Sequence, residues 1–201
     1  MSGRSRLLTG TALLVVAACA SPAWAFDPEE TFKKGAYVLS AEGGYGAQFN
    51  LEHTRHQSDL EFFNLGLRAS ILPFGTSGGG PLYGAFEAGL EPFYQHYTDP
   101  KPAFWAGLAA VFRYHFLTLG RVVPYAELAG AAGGTDLRVR EIDSDFSFVV
   151  WGGLGASVFL TDSTAVYAGY RLEHNSNGNS SRPNRGWEAH VGVVGVSYYF
   201  H

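Results

Sequence analysis

Two short stretches near the C-terminus gather the residue types that ester chemistry requires. Tyr170-Arg171-Leu172-Glu173-His174-Asn175-Ser176-Asn177-Gly178 is followed, after a polar break, by Asn184-Arg185-Gly186-Trp187-Glu188. Serine attack on an ester needs a base within hydrogen-bond reach of the hydroxyl and a third group that orients the base. His174, Ser176 and Glu188 are of the right types. His190, two residues past Glu188, is an alternative base, and Glu173 beside His174 an alternative acid.

Side chains alternate faces along a strand, so His174 and Ser176 can share one face of an extended segment. The same parity holds Leu172, Tyr170, Ala168 and Val166, whereas Arg171 and Glu173 have the opposite parity, which lowers the standing of Glu173. The apolar set is expected to face lipid. Glu188 shares parity with Val194, Val196, Tyr198 and Phe200, but Val191 and Val193 lie on the other face. The second stretch therefore permits the arrangement without requiring it. Neighbouring antiparallel strands would bring the two ends together.

The elements that must position these residues recur along the chain. Eight segments rich in aromatic, aliphatic and small residues run approximately over 35–49, 59–74, 82–97, 103–116, 122–136, 146–160, 164–173 and 187–200. Polar loops at 50–58, 98–102, 137–145 and 174–186 interleave with tighter connections such as Thr161-Asp162-Ser163. An even strand count with long loops on one end predicts an all-β fold, an eight-stranded antiparallel transmembrane β-barrel of the bacterial outer membrane. With a periplasmic N-terminus the polar loops are extracellular. A soluble β-sandwich or lipocalin-like barrel also alternates, but aromatics at 15% and 26 glycines favour the membrane barrel. Aromatics near segment ends, as in Tyr94/Tyr97, Phe104/Trp105, Tyr114/Phe116 and Tyr198/Tyr199/Phe200, are expected to form interfacial girdles. Eight strands leave an interior just filled by side chains, so no pore is expected.

Residues 1–25 read as a secretory signal peptide: Arg4 and Arg6, an apolar run from Leu7 to Ala18, and Ala23-Trp24-Ala25. Cleavage after Ala25 leaves residues 26–201 as one barrel domain starting at Phe26. A rival reading takes Val16-Ala17-Ala18-Cys19 as a lipobox, with Cys19 lipidated. Cys19 is the only cysteine, so the favoured mature chain has no disulfide and no thiolate metal site. The leader carries two of the 14 basic residues and none of the 18 acids, leaving 12 against 18 and a formal charge of −6. That balance argues against a nucleic-acid partner. No apolar run past residue 26 is long enough for a membrane helix; Phe104 to Phe112 is stopped by Arg113.

Gly75-Thr76-Ser77-Gly78-Gly79 matches G-x-S-x-G, but that motif works on a strand-to-helix elbow, and a turn is the better reading here. His53 and His56 are spaced like metal ligands, and Asp136, Glu141, Asp143 and Asp145 crowd the third loop; both are read as solvated loop charge.

The stretch from Tyr170 to Glu188 closely resembles the signature of the lipid A 3-O-deacylase family, PagL: an aromatic-Arg-x-x-His-x-Ser-Asn run, then a Glu twelve residues after the serine, as Ser176 and Glu188 are spaced here. The resemblance implies an esterase that hydrolyses the 3-O-linked acyl chain of lipid A in the outer leaflet, without metal or organic cofactor. It implies His174 as base, Ser176 as nucleophile, Glu188 as orienting carboxylate, and Asn177 with nearby backbone N–H groups as the oxyanion site, for which Gly178 is a candidate. The family pattern has its glycine two residues beyond the asparagine, whereas Gly178 directly follows Asn177 and Asn179 comes next. Which N–H completes the oxyanion site is thus open, as is whether the chain forms a homodimer among the outer-membrane lipids. Two rival functions remain: a non-catalytic small barrel acting as adhesin or structural protein, and an outer-membrane phospholipase or acyltransferase.

Overall fold

A computed structural model describes residues 26–49, 51 and 56–200. The leader, Cys19 and His53 lie outside the described residues.

Strands follow the period-2 patterning: β1 (Tyr37–Phe49), β2 (Glu61–Ile71), the two-residue β3 (Thr76–Ser77), β4 (Gly84–Asp99), β5 (Ala103–Phe116), β6 (Val122–Thr135), β7 (Phe146–Phe159), β8 (Thr164–Ser176) and β9 (Trp187–Phe200). Each long strand pairs antiparallel with its neighbours; β2 pairs with β4, and β9 pairs with β1. The eight long strands therefore close into a barrel, with β3 a small addition against Gly84 and Ala85 of β4. Closure leaves no strand edge whose N–H and C=O groups would meet lipid unpaired. Lengths of 11 to 16 residues suffice for a tilted strand to cross a bilayer, which takes about 9–11 residues.

The two faces are inverted relative to a soluble protein. Leu39, Leu65, Leu67, Leu90, Leu128, Leu154 and Val194 stand exposed on the outer wall, while Glu42, Arg68, Glu87, Glu91, Arg113, Glu127 and Arg171 are buried inside. A soluble sandwich or lipocalin would bury the first set, and that alternative is set aside. The interior is filled in three layers. Trp105, Trp151, Trp187, Phe62 and Tyr97 pack near the loop end, and Phe32, Leu72, Phe159 and Tyr199 near the turn end. Between them lies a charged band in which Glu127 meets Arg68, Arg113 and Arg171.

Several expectations are corrected. The fourth polar loop does not begin at His174, because β8 continues to Ser176; Phe148, Val149 and Val150 of β7 supply a pairing partner for each added residue. The aromatic pairs do not all form girdles: Tyr97, Trp105 and Tyr199 are turned inward and buried, and only their sequence neighbours face out, as period 2 dictates. Loop lengths alternate less cleanly than expected, since residues 100–102 make a tight turn at the loop end and residues 72–83 a longer connection at the other. The third loop is solvated charge only in part: Asp136, Asp143 and Asp145 are exposed, but Glu141 is not. The Glu141 carboxylate is buried and accepts from Gln48 Nε2 (3.1 Å), Ser58 N–H (3.0 Å) and Ser58 Oγ (2.6 Å), while Arg138 pairs with Asp143 (2.8 Å) and with Asp145.

The helix α1 (Pro28–Thr31) was not anticipated. Asp27 caps it, accepting from the N–H groups of Glu29 (2.9 Å) and Glu30 (3.3 Å), with Pro28 in the first turn. It inserts Phe32 against His115, Phe159 and Tyr199 at the turn end. The cap signature was present in Asp27-Pro28-Glu29-Glu30.

Candidate active site

The last two strands carry the site. In β8, Ala165, Tyr167, Arg171, Glu173 and Asn175 are buried, and Val166, Ala168, Tyr170 and Leu172 are exposed, with His174 and Ser176 on that outer face. In β9, Trp187, Ala189, Val191 and Val193 are inward, whereas Glu188, His190, Val194 and Val196 are outward. The difficulty over Val191 and Val193 disappears: they fill the aromatic core near the loop end.

Register sets His174 directly opposite Glu188, and the imidazole Nδ1 lies 3.0 Å from Glu188 Oε1. The two side chains are 41% and 23% exposed, so the pair sits at the outer wall without being buried in it. Cε1 and Nε2 of His174 lie against Gly186; a β-carbon there would stand 2.8 and 3.3 Å from them. Continuing the register by one pair puts Gly186 opposite Ser176. The ring thus spends one nitrogen on Glu188 and turns the other toward the Ser176 end of the strand pair. The Ser176 hydroxyl, on the same strand and face, has no hydrogen-bond partner among the described residues. A substrate carbonyl could approach it from the lipid side.

Gly186 has φ +68°, a conformation costly for any residue with a β-carbon. Gly186→Ala should therefore displace the His174 ring as well as strain the loop. Any activity that uses the His174 imidazole should then fall about tenfold or more in a barrel that still folds, checked by rate measurement together with heat-modifiable gel mobility.

The segment after Ser176 is braced. Ser180 N–H donates to the Asn177 carbonyl (3.2 Å) around Gly178 and Asn179, both at positive φ, as in a type I′ turn. Asn177 is fully buried; its side-chain nitrogen donates to Ser181 O (3.1 Å) and Ser181 Oγ (2.9 Å), and its backbone N–H to Asn184 Oδ1 (2.9 Å). Both Asn177 donors are thus engaged by the loop, while the Gly178 N–H has no partner among the described residues. The third loop runs antiparallel to 183–185, through Arg185 N–H to Glu141 O (2.8 Å), Asp143 N–H to Pro183 O (3.4 Å) and the Ile142–Asn184 bridge.

Residues 63–197, which include this site, match the family described as Lipid A 3-O-deacylase (PagL). The chain belongs to that family. Among solved structures, the chain is similar to the outer membrane enzyme PagL at 17% identity and TM-score 0.57, covering 79% of this chain and 97% of that one. It is equally similar to Neisserial surface protein A, at 17% identity and TM-score 0.57, covering 83% of this chain and 100% of that one. At such identities these likenesses speak for the fold alone. No curated protein matches the chain. Family and fold together make this PagL-family chain a bacterial outer-membrane protein.

The other candidates fall in different places. Glu173 points into the barrel, where its carboxylate accepts from Gln95 Nε2 (2.7 Å), so the wall separates it from His174. His190 shares the outer face, but its Nδ1 is hydrogen-bonded to the Tyr170 hydroxyl and its ring stacks on Phe49 at 3.9 Å. Ser77 sits at the turn end, far from His174, and is followed by a single 3₁₀ turn (Gly80–Leu82). His56 is exposed on its loop. Among the described residues no three His, Cys, Asp or Glu side chains gather as a metal site. Sequence reasoning missed Gly186 and Asn184; the isolated glycine before Trp187 was the available signal for the first, and nothing local marked the second.

Beside His174 and Glu188 the outer wall carries a groove of about 380 Å³ lined by Phe49, Leu51, Leu128, Val150, Gly152 and Leu172. Gly152 opens it between two leucines, because it pairs with Leu128 on one side and Leu172 on the other.

Proposed function

We propose that the protein hydrolyses the ester at position 3 of lipid A, with Ser176 as nucleophile, His174 as base and Glu188 as the carboxylate that orients it. The observation that carries this reading is the outward-facing His174–Glu188 pair, at 3.0 Å, beside the unengaged Ser176 hydroxyl on the same lipid-facing strand. Glu188 holds the Nδ1–H tautomer and leaves Nε2 to accept the serine proton. Ser176 Oγ attacks the ester carbonyl carbon, and the negative charge that develops on the carbonyl oxygen is met by the free N–H of Gly178, with Asn177 holding the turn. His174 returns the proton to the sugar oxygen as the C–O bond breaks. Water, deprotonated in turn by His174, then cleaves the acyl-serine and releases a 3-hydroxy fatty acid. The groove along Leu128, Gly152 and Leu172 would receive the acyl chain.

Residues 1–25 serve in this reading as a removable signal peptide, and the loop end faces the outside of the cell, where lipid A resides. Single cysteines at Asp99 and Ser180 should react with an impermeant thiol reagent on intact cells, and one at Asp162 should not. The reverse pattern would invert the topology.

Incubation of the purified barrel with lipid A should yield product lighter by one 3-hydroxyacyl chain by mass spectrometry, with phospholipid in the same micelles intact. Loss of acyl chains from phospholipid instead would favour a phospholipase. No mass change at all would favour a non-catalytic barrel, a reading kept alive by the equal likeness to Neisserial surface protein A.

A further inference from the structure

Among the described residues, the collar of loops at this end of the barrel holds three exposed cations with no ion pair, Lys101, Arg140 and Arg182, and of these Arg140 stands at the level of the site. Residues 138–143 form a hairpin, with Arg138 bridged to Asp143 and the N–H of Val139 donating to Ile142 O (3.0 Å), so Arg140 and Glu141 are its two tip residues. Glu141 turns inward and is spent on Gln48 and Ser58. Asp143 and Asp145 are spent on Arg138. Arg140 is exposed and, among the described residues, has neither an ion pair nor a hydrogen bond. Every acid of the hairpin already has a partner, so among the described residues none is left to neutralise Arg140, and an anion from outside can do so.

Its place is fixed by register. Residues 141 and 143 face 185 and 183, which puts Arg140 at the level of Gly186, the residue against which the His174 imidazole packs. An arginine carried on the hairpin tip at the level of His174 and Ser176 suits an anion on the same headgroup as the scissile ester. Arginine's planar fork matches phosphate in two hydrogen bonds. We propose that Arg140 is a specificity-determining residue that binds a phosphate of the phosphorylated glucosamine headgroup, an inference that rests on the lipid A reading above.

The test uses Ser176→Ala protein, so that binding is measured without turnover, in detergent micelles doped with lipid A, with the same lipid after removal of its phosphates, or with phosphatidylglycerol. Arg182, exposed and equally without a partner among the described residues, lies in the facing segment of the collar and serves as a control of the same charge. Arg140→Gln should weaken binding of phosphorylated lipid A about tenfold, the usual scale for one charge-assisted contact. Binding of the dephosphorylated lipid should not change, Arg182→Gln should be near silent, and Arg140→Lys should recover part of the loss. Equal losses for Arg140→Gln and Arg182→Gln would mean a general field effect and overturn the proposal. So would an unchanged affinity, or an equal loss with phosphatidylglycerol. If the binding pattern holds while Ser176-containing protein releases no fatty acid, the esterase reading fails and the phosphate site stands.

Discussion

Ser176→Ala and His174→Ala should each give a folded barrel, judged by heat-modifiable mobility, that has lost on the order of 10⁴ to 10⁶ of its deacylation rate. The nucleophile and its base act as one unit, so removing either removes the attacking alkoxide, and the double variant should be little worse than the singles. Glu188→Ala should lose less. The imidazole keeps its Nε2 and its contact with Gly186, and forfeits the 3.0 Å partner that fixes tautomer and orientation. Ser77→Ala and His56→Ala should be silent, because β3 lies at the opposite end of the barrel and His56 is exposed on a loop. Release of labelled 3-hydroxy fatty acid measures all of these. A folded Ser176→Ala protein with ordinary activity would end the assignment.

How much of this was legible in the chain depends on whether the information was local. Period-2 alternation over Val166, Ala168, Tyr170 and Leu172 fixed which way His174 and Ser176 point, and the strand count followed from the same pattern. The pairing of His174 with Glu188 was not readable in that way, because register between two strands is set by the turn joining them and by all the other pairs of the ladder. The inward Val191 and Val193 looked like a conflict from sequence because an interior apolar layer near the loop end was not foreseen. Glu141 was misread for a similar reason. A carboxylate in a loop is usually solvated, and its partners Gln48 and Ser58 are some 90 residues away in the chain, so no local signal identifies them. Asn177 shows what a motif leaves out: its residue type suits an oxyanion donor, and only the structure shows that its side chain and backbone N–H donate to Ser181 and Asn184.

The largest effect on stability should come from the interior, at Glu127. Its Oε2 accepts from Arg113 Nε (2.9 Å) and Nη2 (2.6 Å) and lies 3.3 Å from Arg68 Nη1. Its Oε1 accepts from Trp151 Nε1 (2.9 Å) and lies 2.8 Å from Arg171 Nη2. Three guanidiniums that are almost fully buried converge on one carboxylate, and the remaining acids of the band serve them unevenly. Arg171 keeps Glu42, at 2.5 Å, and Arg68 keeps Glu87 and Glu91, at 3.3 and 3.4 Å, but Arg113 has no other ion pair among the described residues. Glu127→Ala therefore strands a buried cation and crowds it against two others, and the barrel should lose about 3–5 kcal/mol, the usual cost of removing one partner from a buried ion pair. The double variant Glu127→Ala/Arg113→Leu should recover much of that loss, since it deletes the stranded charge together with its partner. Urea unfolding from lipid vesicles, followed by tryptophan fluorescence and gel mobility, reads both numbers. Glu188→Ala, which opens a half-exposed pair at the wall, should move the midpoint far less. If Glu127→Ala unfolds at the wild-type midpoint, or the second substitution adds to the loss instead of relieving it, the band does not work as a charge-balanced unit and its ion pairs are incidental to the barrel's stability.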